Sequence, residues 1–115
     1  MKKIFYRLKN GTIGCLVGEI KSLIDDNRYF ELDNGSFMRY EEFLDSLFQT
    51  SPEIIDLIQP GDIVNDKLVL KHLRHNISVV NPDYVNGVQL LSNDEIESVI
   101  SKEEYENIKY YVSYE

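Results

Sequence analysis

Turn-forming residues punctuate this chain at short intervals, and that punctuation limits what it can fold into. Asn10-Gly11 and Asp33-Asn34-Gly35 are hairpin signals, because these residue types tolerate the positive φ that tight turns require. Asp25-Asp26-Asn27, Asn65-Asp66, Arg74-His75-Asn76, Asn81-Pro82-Asp83 and Asn86-Gly87 break the chain again. The runs between them, residues 3–8, 12–17, 29–32, 36–40, 67–73, 77–80 and 88–91, are short and rich in residues that favour strands. The chain contains no alanine, so its helices lack their best former. Short strands at this spacing predict an α+β fold: a small curved antiparallel sheet or barrel-like β core with two or three short helices.

Three segments carry helical signals. Over residues 40–49, Phe43, Leu44, Leu47 and Phe48 share one face, with Glu41, Glu42 and Asp45 outward. In residues 51–65, SPEIIDLIQPGDIVN, Ser51 is an N-cap and Pro52 sits at the first helical position. Ile54, Ile55, Leu57 and Ile58 then form an apolar face; Pro60-Gly61 ends the helix and Asp62-Ile63-Val64 starts a strand. Ser101-Lys102-Glu103-Glu104 has the capping-box pattern, with Tyr105 and Ile108 expected to face inward. Residues 109–114 read as a closing strand. Residues 19–24 and 96–100 stay ambiguous: the first can continue the sheet, the second fits a strand or a helical turn. No internal repeat, linker or low-complexity tract is visible.

A length of 115 residues predicts a single domain spanning 1–115. No apolar run approaches the ~20 residues needed to span a bilayer. After Met1-Lys2-Lys3, Arg7, Lys9 and Asn10 interrupt any apolar stretch of a secretory signal, so a cytoplasmic location is expected. The lone Cys15 excludes an intrachain disulfide. The net charge of −8 disfavours direct nucleic-acid binding and suits a basic protein partner. Lys2, Lys3, Arg7 and Lys9 make the start basic, and Lys67, Lys71 and Arg74 form a second basic cluster. In the last third Asp83, Asp94, Glu95, Glu97, Glu103, Glu104, Glu106 and Glu115 face only Lys102 and Lys109.

Candidate chemistry is thin. His72 and His75 have H-x-x-H spacing, but a metal needs three or four ligands and only Asp66 lies near in sequence. Cys15 lacks an evident base and reads as a small buried hydrophobe. Gly11, Gly14 and Gly18 match neither a dinucleotide fingerprint nor a phosphate loop, and fit hairpin and bulge roles. The adjacent acids Asp25-Asp26, Glu41-Glu42 and Glu103-Glu104 point in different directions and make no glycosidase pair. Of the eight tyrosines, Tyr105, Tyr110, Tyr111 and Tyr114 gather at the acidic end. Tyrosine beside carboxylates suits a protein interface as well as core duty.

Two stretches resemble a family of small, mostly uncharacterised proteins of phages and prophages of low-GC Gram-positive bacteria. Residues 51–65 are similar to that family's run "IIDLIEVGDYVNG", matching at Ile54-Ile55-Asp56-Leu57-Ile58, Gly61-Asp62 and Val64-Asn65, with Asp66 in place of its usual glycine. Residues 96–112, IESVISKEEYENIKYYV, resemble the family ending "IKSIVTKEQFESIKYKV". The opening Tyr6-Arg7-Leu8-Lys9-Asn10-Gly11 is similar in style, while residues 29–49 look like an addition. The resemblance covers about a third of the chain. It implies a phage or prophage origin and brings no catalytic residues.

The expected function is a non-enzymatic accessory binding protein: an acidic inhibitor of a host defence system, acting by protein–protein contact. A basic nucleic-acid-binding defence protein, such as a CRISPR effector nuclease, is the candidate partner. Glu97, Glu103, Glu104, Tyr105, Glu106 and Tyr111 are the candidate partner-binding residues. The alternative is a small-molecule or nucleotide sponge with a basic pocket formed by Lys67, Lys71, His72, Arg74 and His75. An enzyme is the third reading, with no nucleophile and base to carry it. No cofactor and no metal are expected.

Overall fold

The computed structural model describes residues 3–108, with the side chains of Asn107 and Ile108 outside that description. The chain divides after Leu57 into two compact units, the second beginning at Ile58. Among the described residues the fold is α+β: ten strands in two antiparallel sheets, with two short α-helices and two 3-10 turns. Neither sheet closes into a barrel.

The first unit starts as a meander of β1 (Ile4–Leu8), β2 (Ile13–Lys21), β3 (Arg28–Leu32) and β4 (Phe37–Arg39). Helix α1 (Tyr40–Ser46) follows, then β5 (Leu47–Ser51), which returns to pair with β1 and gives the order β4-β3-β2-β1-β5. Asn10-Gly11 makes the first turn as expected: Gly11 has φ 92° and donates its N–H to the Leu8 carbonyl at 2.9 Å. The ambiguous residues after Gly18 extend β2 to Lys21, opposite Arg28. Register shifts at Arg7/Leu8 and Leu16/Gly18 are bulges, which bend and twist a sheet.

One face of this sheet buries Tyr6, Leu8 and Leu32 against Phe43 of α1, with Leu16, Phe30, Met38 and Leu47 packed around them. The Tyr6 ring meets Phe43 edge-on at 5.5 Å, and Phe30 lies 4.8 Å from the same ring. Gly14 stands opposite Tyr6, and a Cβ there would lie 2.7 Å from the tyrosine Cζ. Its role is close approach, distinct from the turn at Gly11 and the bulge beside Gly18. Cys15 is only half-buried, not fully buried as expected.

The helix expected over residues 40–49 ends at Ser46. Leu47 and Phe48 belong to β5, where Leu47 pairs with Leu8, and Phe48 is exposed. The free edge of β1 wins this segment for the sheet over the helical period. Residues 51–65 keep their plan at smaller scale. Ser51 accepts the Glu53 N–H at 3.1 Å and donates to Asp56 at 2.6 Å, but the helix is one 3-10 turn, Ile54–Leu57. Arg7, counted above among the bases that make the start basic, is buried and donates to the Leu57 carbonyl at 2.9 Å.

The second unit repeats this strand order, with the 3-10 turn and the α-helix exchanged in position. Strands β6 (Ile63–Val64), β7 (Lys67–His72), β8 (Asn76–Val80) and β9 (Val88–Ser92) form a meander. A 3-10 turn (Asn93–Glu95) leads to β10 (Val99–Ile100), which returns to β6; α2 (Lys102–Ile108) follows. Val64, Val69, Ile77, Val79 and Leu91 are its buried apolar residues on strands. Asn65 and Asp66 have φ 51° and 66°, the pair of left-handed conformations of a two-residue hairpin turn. Residues 96–100 resolve into strand at Val99–Ile100. The expected closing strand at 109–114 lies outside the described residues.

Candidate functional site

The acidic end of the second unit is built on an unusually well-anchored short helix. Ser101 is fully buried and its Oγ accepts the Glu104 N–H at 3.1 Å, the cap that the sequence pattern predicts. Asp62, also fully buried, adds a second cap that local sequence does not announce. One oxygen accepts the Lys102 N–H at 2.9 Å and the other the Gln59 N–H at 2.7 Å. Acceptors at a helix start also favour the positive end of its dipole.

A second staple fixes the segment before β10. The Asn65 side chain donates to the Glu95 carbonyl at 2.8 Å and accepts the N–H groups of Glu97 and Ser98 at 2.8 and 3.1 Å. Ser92 donates both its N–H and its hydroxyl to the Glu95 carboxylate, at 3.0 and 2.9 Å. Those bonds, the backbone one foremost, hold the Glu95 carboxyl below its usual range.

Of the expected partner-binding residues, Glu97, Tyr105 and Glu106 are exposed, and Glu103 and Glu104 are half-buried. Tyr105 does not face inward: it keeps 42% of its surface. Its position in α2 turns it outward, with Glu104 and Glu106 beside it in sequence. Glu97 precedes β10 while the other glutamates follow it, so the acidic residues occupy both ends of a two-residue strand. Tyr111, with Tyr110 and Tyr114, lies outside the described residues.

The alternative set occupies β7 and the hairpin after it. Lys71, His72, Arg74 and His75 are exposed and Lys67 is half-buried. Lys67 begins β7 and Lys71 lies near its other end, about 13 Å away at the usual rise per residue. The strand thus separates Lys67 from the hairpin bases. Among the described residues no three His, Cys, Asp or Glu side chains are grouped to hold a metal ion. No helix among them is long and apolar enough to cross a membrane.

Sequence reasoning overlooked a cleft in the first unit that contains Asp25, Tyr29 and Phe37. Asp25 is read there as a turn residue and one of an acidic pair, and Tyr29 and Phe37 only as strand formers. Their common signal is alternation, which puts Tyr29 and Phe37 on the sheet face opposite Phe30 and Met38. Comparisons with protein-family models, with curated proteins and with solved structures return no match.

Proposed function

We propose that this chain is a non-enzymatic accessory binding protein of phage or prophage origin that inhibits a host defence machine by protein–protein contact. The observation that supports this best is the anchored acidic helix, with exposed Tyr105 and Glu106 on a helix fixed at its start by Asp62 and Ser101. Carboxylates held on a fixed frame can stand where the phosphates of a nucleic acid would lie in a basic channel. An exposed tyrosine adds contact area at little entropic cost. Across residues 93–106, six acidic residues accompany the single base Lys102, so the local charge has one sign. The net charge of −8 also speeds encounter with a basic partner. A nuclease that binds nucleic acid in a basic groove, such as a CRISPR effector, is the target class this reading names.

The test is inhibition of such a nuclease by the purified chain, followed at rising salt. Inhibition is expected to weaken as salt screens the charges. The variant Glu97→Lys, Tyr105→Ala, Glu106→Lys leaves the caps at Asp62 and Ser101 in place, and is expected to bind about tenfold or more weakly. Equal binding with equal salt dependence would sink the proposal.

A further inference from the structure

The first unit's sheet presents, on the face turned away from Phe43, an open cleft of about 400 Å³ lined by Ile20, Ser22, Ile24, Asp25, Tyr29 and Phe37. Ile20 and Tyr29 are cross-strand partners on β2 and β3, and Phe37 enters from β4. The turn after β2 supplies Ser22, Ile24 and Asp25. Its walls are apolar and open to solvent: Ile24 is 98% exposed, Phe37 52% and Ile20 47%. One carboxylate stands among them. Tyr29 donates its hydroxyl to Asp25 at 2.8 Å, and the Asn27 N–H donates to the other oxygen at 3.1 Å.

These donors orient the carboxylate without neutralising it. Neighbouring acids are matched by bases: Asp26 meets Lys21 at 3.2 Å, Glu19 meets Arg28 at 3.5 Å and Glu41 meets Arg39 at 3.8 Å. Asp25 has no cation partner among the described residues. Other charged groups lie near this face, and Glu42 and Arg39 both act on Tyr29. Arg39 stands opposite Tyr29 on β4 but reaches to Glu41, and Glu31 stands opposite Phe37.

We propose that this cleft takes the side chain of a lysine presented by a peptide segment of a partner protein. The ammonium sits at Asp25 beside the rings of Tyr29 and Phe37, and the aliphatic stem lies on Ile20 and Ile24. A carboxylate that shares a cleft with aromatic rings selects a cation, and a four-carbon stem with a charged head covers apolar walls while keeping its charge at the rim. The cleft is too open to enclose a free amine, so the peptide backbone supplies the remaining contacts. This inference stands independently of the acidic helix.

The test follows isoleucine methyl signals by NMR while the full chain is titrated with an acetyl-Gly-Lys-Gly-amide peptide. Its norleucine counterpart and n-butylamine serve as the other arms. The lysine peptide is expected to move the Ile20 and Ile24 methyls with a dissociation constant on the order of millimolar, and the norleucine peptide to bind about tenfold more weakly. Asp25→Asn keeps an oxygen for the Asn27 N–H, so the turn survives, and it is expected to abolish the preference for lysine. Phe37→Leu is expected to reduce it. Unmoved methyls, equal binding of the norleucine peptide, or a lysine preference that survives Asp25→Asn would each overturn the site. Butylamine binding as tightly as the peptide would overturn the peptide source.

Discussion

The carboxylate of Asp62 accepts the backbone N–H of Lys102 at 2.9 Å, joining a strand entry to a helix start 40 residues later. Because Asp62 is fully buried and also holds Gln59, removing it strands two donors at once. Asp62→Ala is expected to destabilise the second unit by about 3 kcal/mol, with Asp62→Asn losing less because one acceptor remains. Urea denaturation followed by amide signals of the second unit measures both.

Asn65 does two jobs, and two variants separate them. Asn65→Ala loses the side-chain bonds to residues 95–98 and also the short polar side chain that lets asparagine hold φ 51°. The expected cost is about 2–3 kcal/mol. Asn65→Gly keeps the turn conformation and loses only the bonds, so it is expected to fall between that variant and the parent. Equal stability of the two variants in thermal melts would mean that the turn conformation carries no share.

Gly14 leaves room for the Tyr6 ring. In Gly14→Ala the new methyl would sit 2.7 Å from Tyr6 Cζ and 2.9 Å from an Asp33 oxygen. Tyr6 is buried against Phe43 and cannot withdraw freely. A loss of about 1–3 kcal/mol is expected, the usual cost of overpacking. Denaturant melts check it, and the double variant Gly14→Ala, Tyr6→Phe should recover part, since the hydroxyl is the nearest clash.

Acid is expected to loosen the turn that Asp25 holds in the first unit. The Asn27 N–H, then the Tyr29 hydroxyl, pull the Asp25 carboxyl from its ordinary 3.8 to about 2. A lowered carboxyl pKa contributes stability that is fully present above the ordinary value and is lost as pH falls through the folded one. The window therefore runs from 3.8 down to about 2. Carboxyl-carbon NMR is expected to show Asp25 titrating at the bottom of it. The same bond raises the Tyr29 phenol above its ordinary 10.0, and Asp25→Asn should lower it again.

Legibility in the sequence followed the range of the interactions. Turns at Asn10-Gly11, Asp33-Asn34-Gly35 and Asn65-Asp66 are local chemistry, and each lies where the residues themselves demand it. The Ser101 cap is local too. Leu47 misled because its helical spacing is local, while its strand pairing with Leu8 is not. Tyr105 misled because a helix this short has little face to bury. The second functions of Asp62, Asn65 and Arg7 were illegible: their partners lie 40, 30 and 50 residues away, and one residue type serves many geometries. The acidic tract was readable as composition, but its anchoring was not. No sequence repeat announces that both units use one strand order, because a meander with a returning fifth strand can be encoded by many apolar patterns.

That shared order sets a sequence of events for folding. In each unit the meander joins neighbours in the chain and can form early, whereas the returning strand must wait for the costliest loop to close. The first unit rewards that closure with a long β1–β5 ladder, from Phe5 opposite Ser51 to Leu8 opposite Leu47. Among the described residues the second pairs Val99 and Ile100 with β6 and sets the Asn65 N–H on the Ser98 carbonyl at 3.1 Å, and the side chains of Asn65 and Asp62 add to that closure. Those side-chain bonds hold the seam, so in Asp62→Ala amide exchange at the footing of the acidic helix should outrun the rest of the sheet.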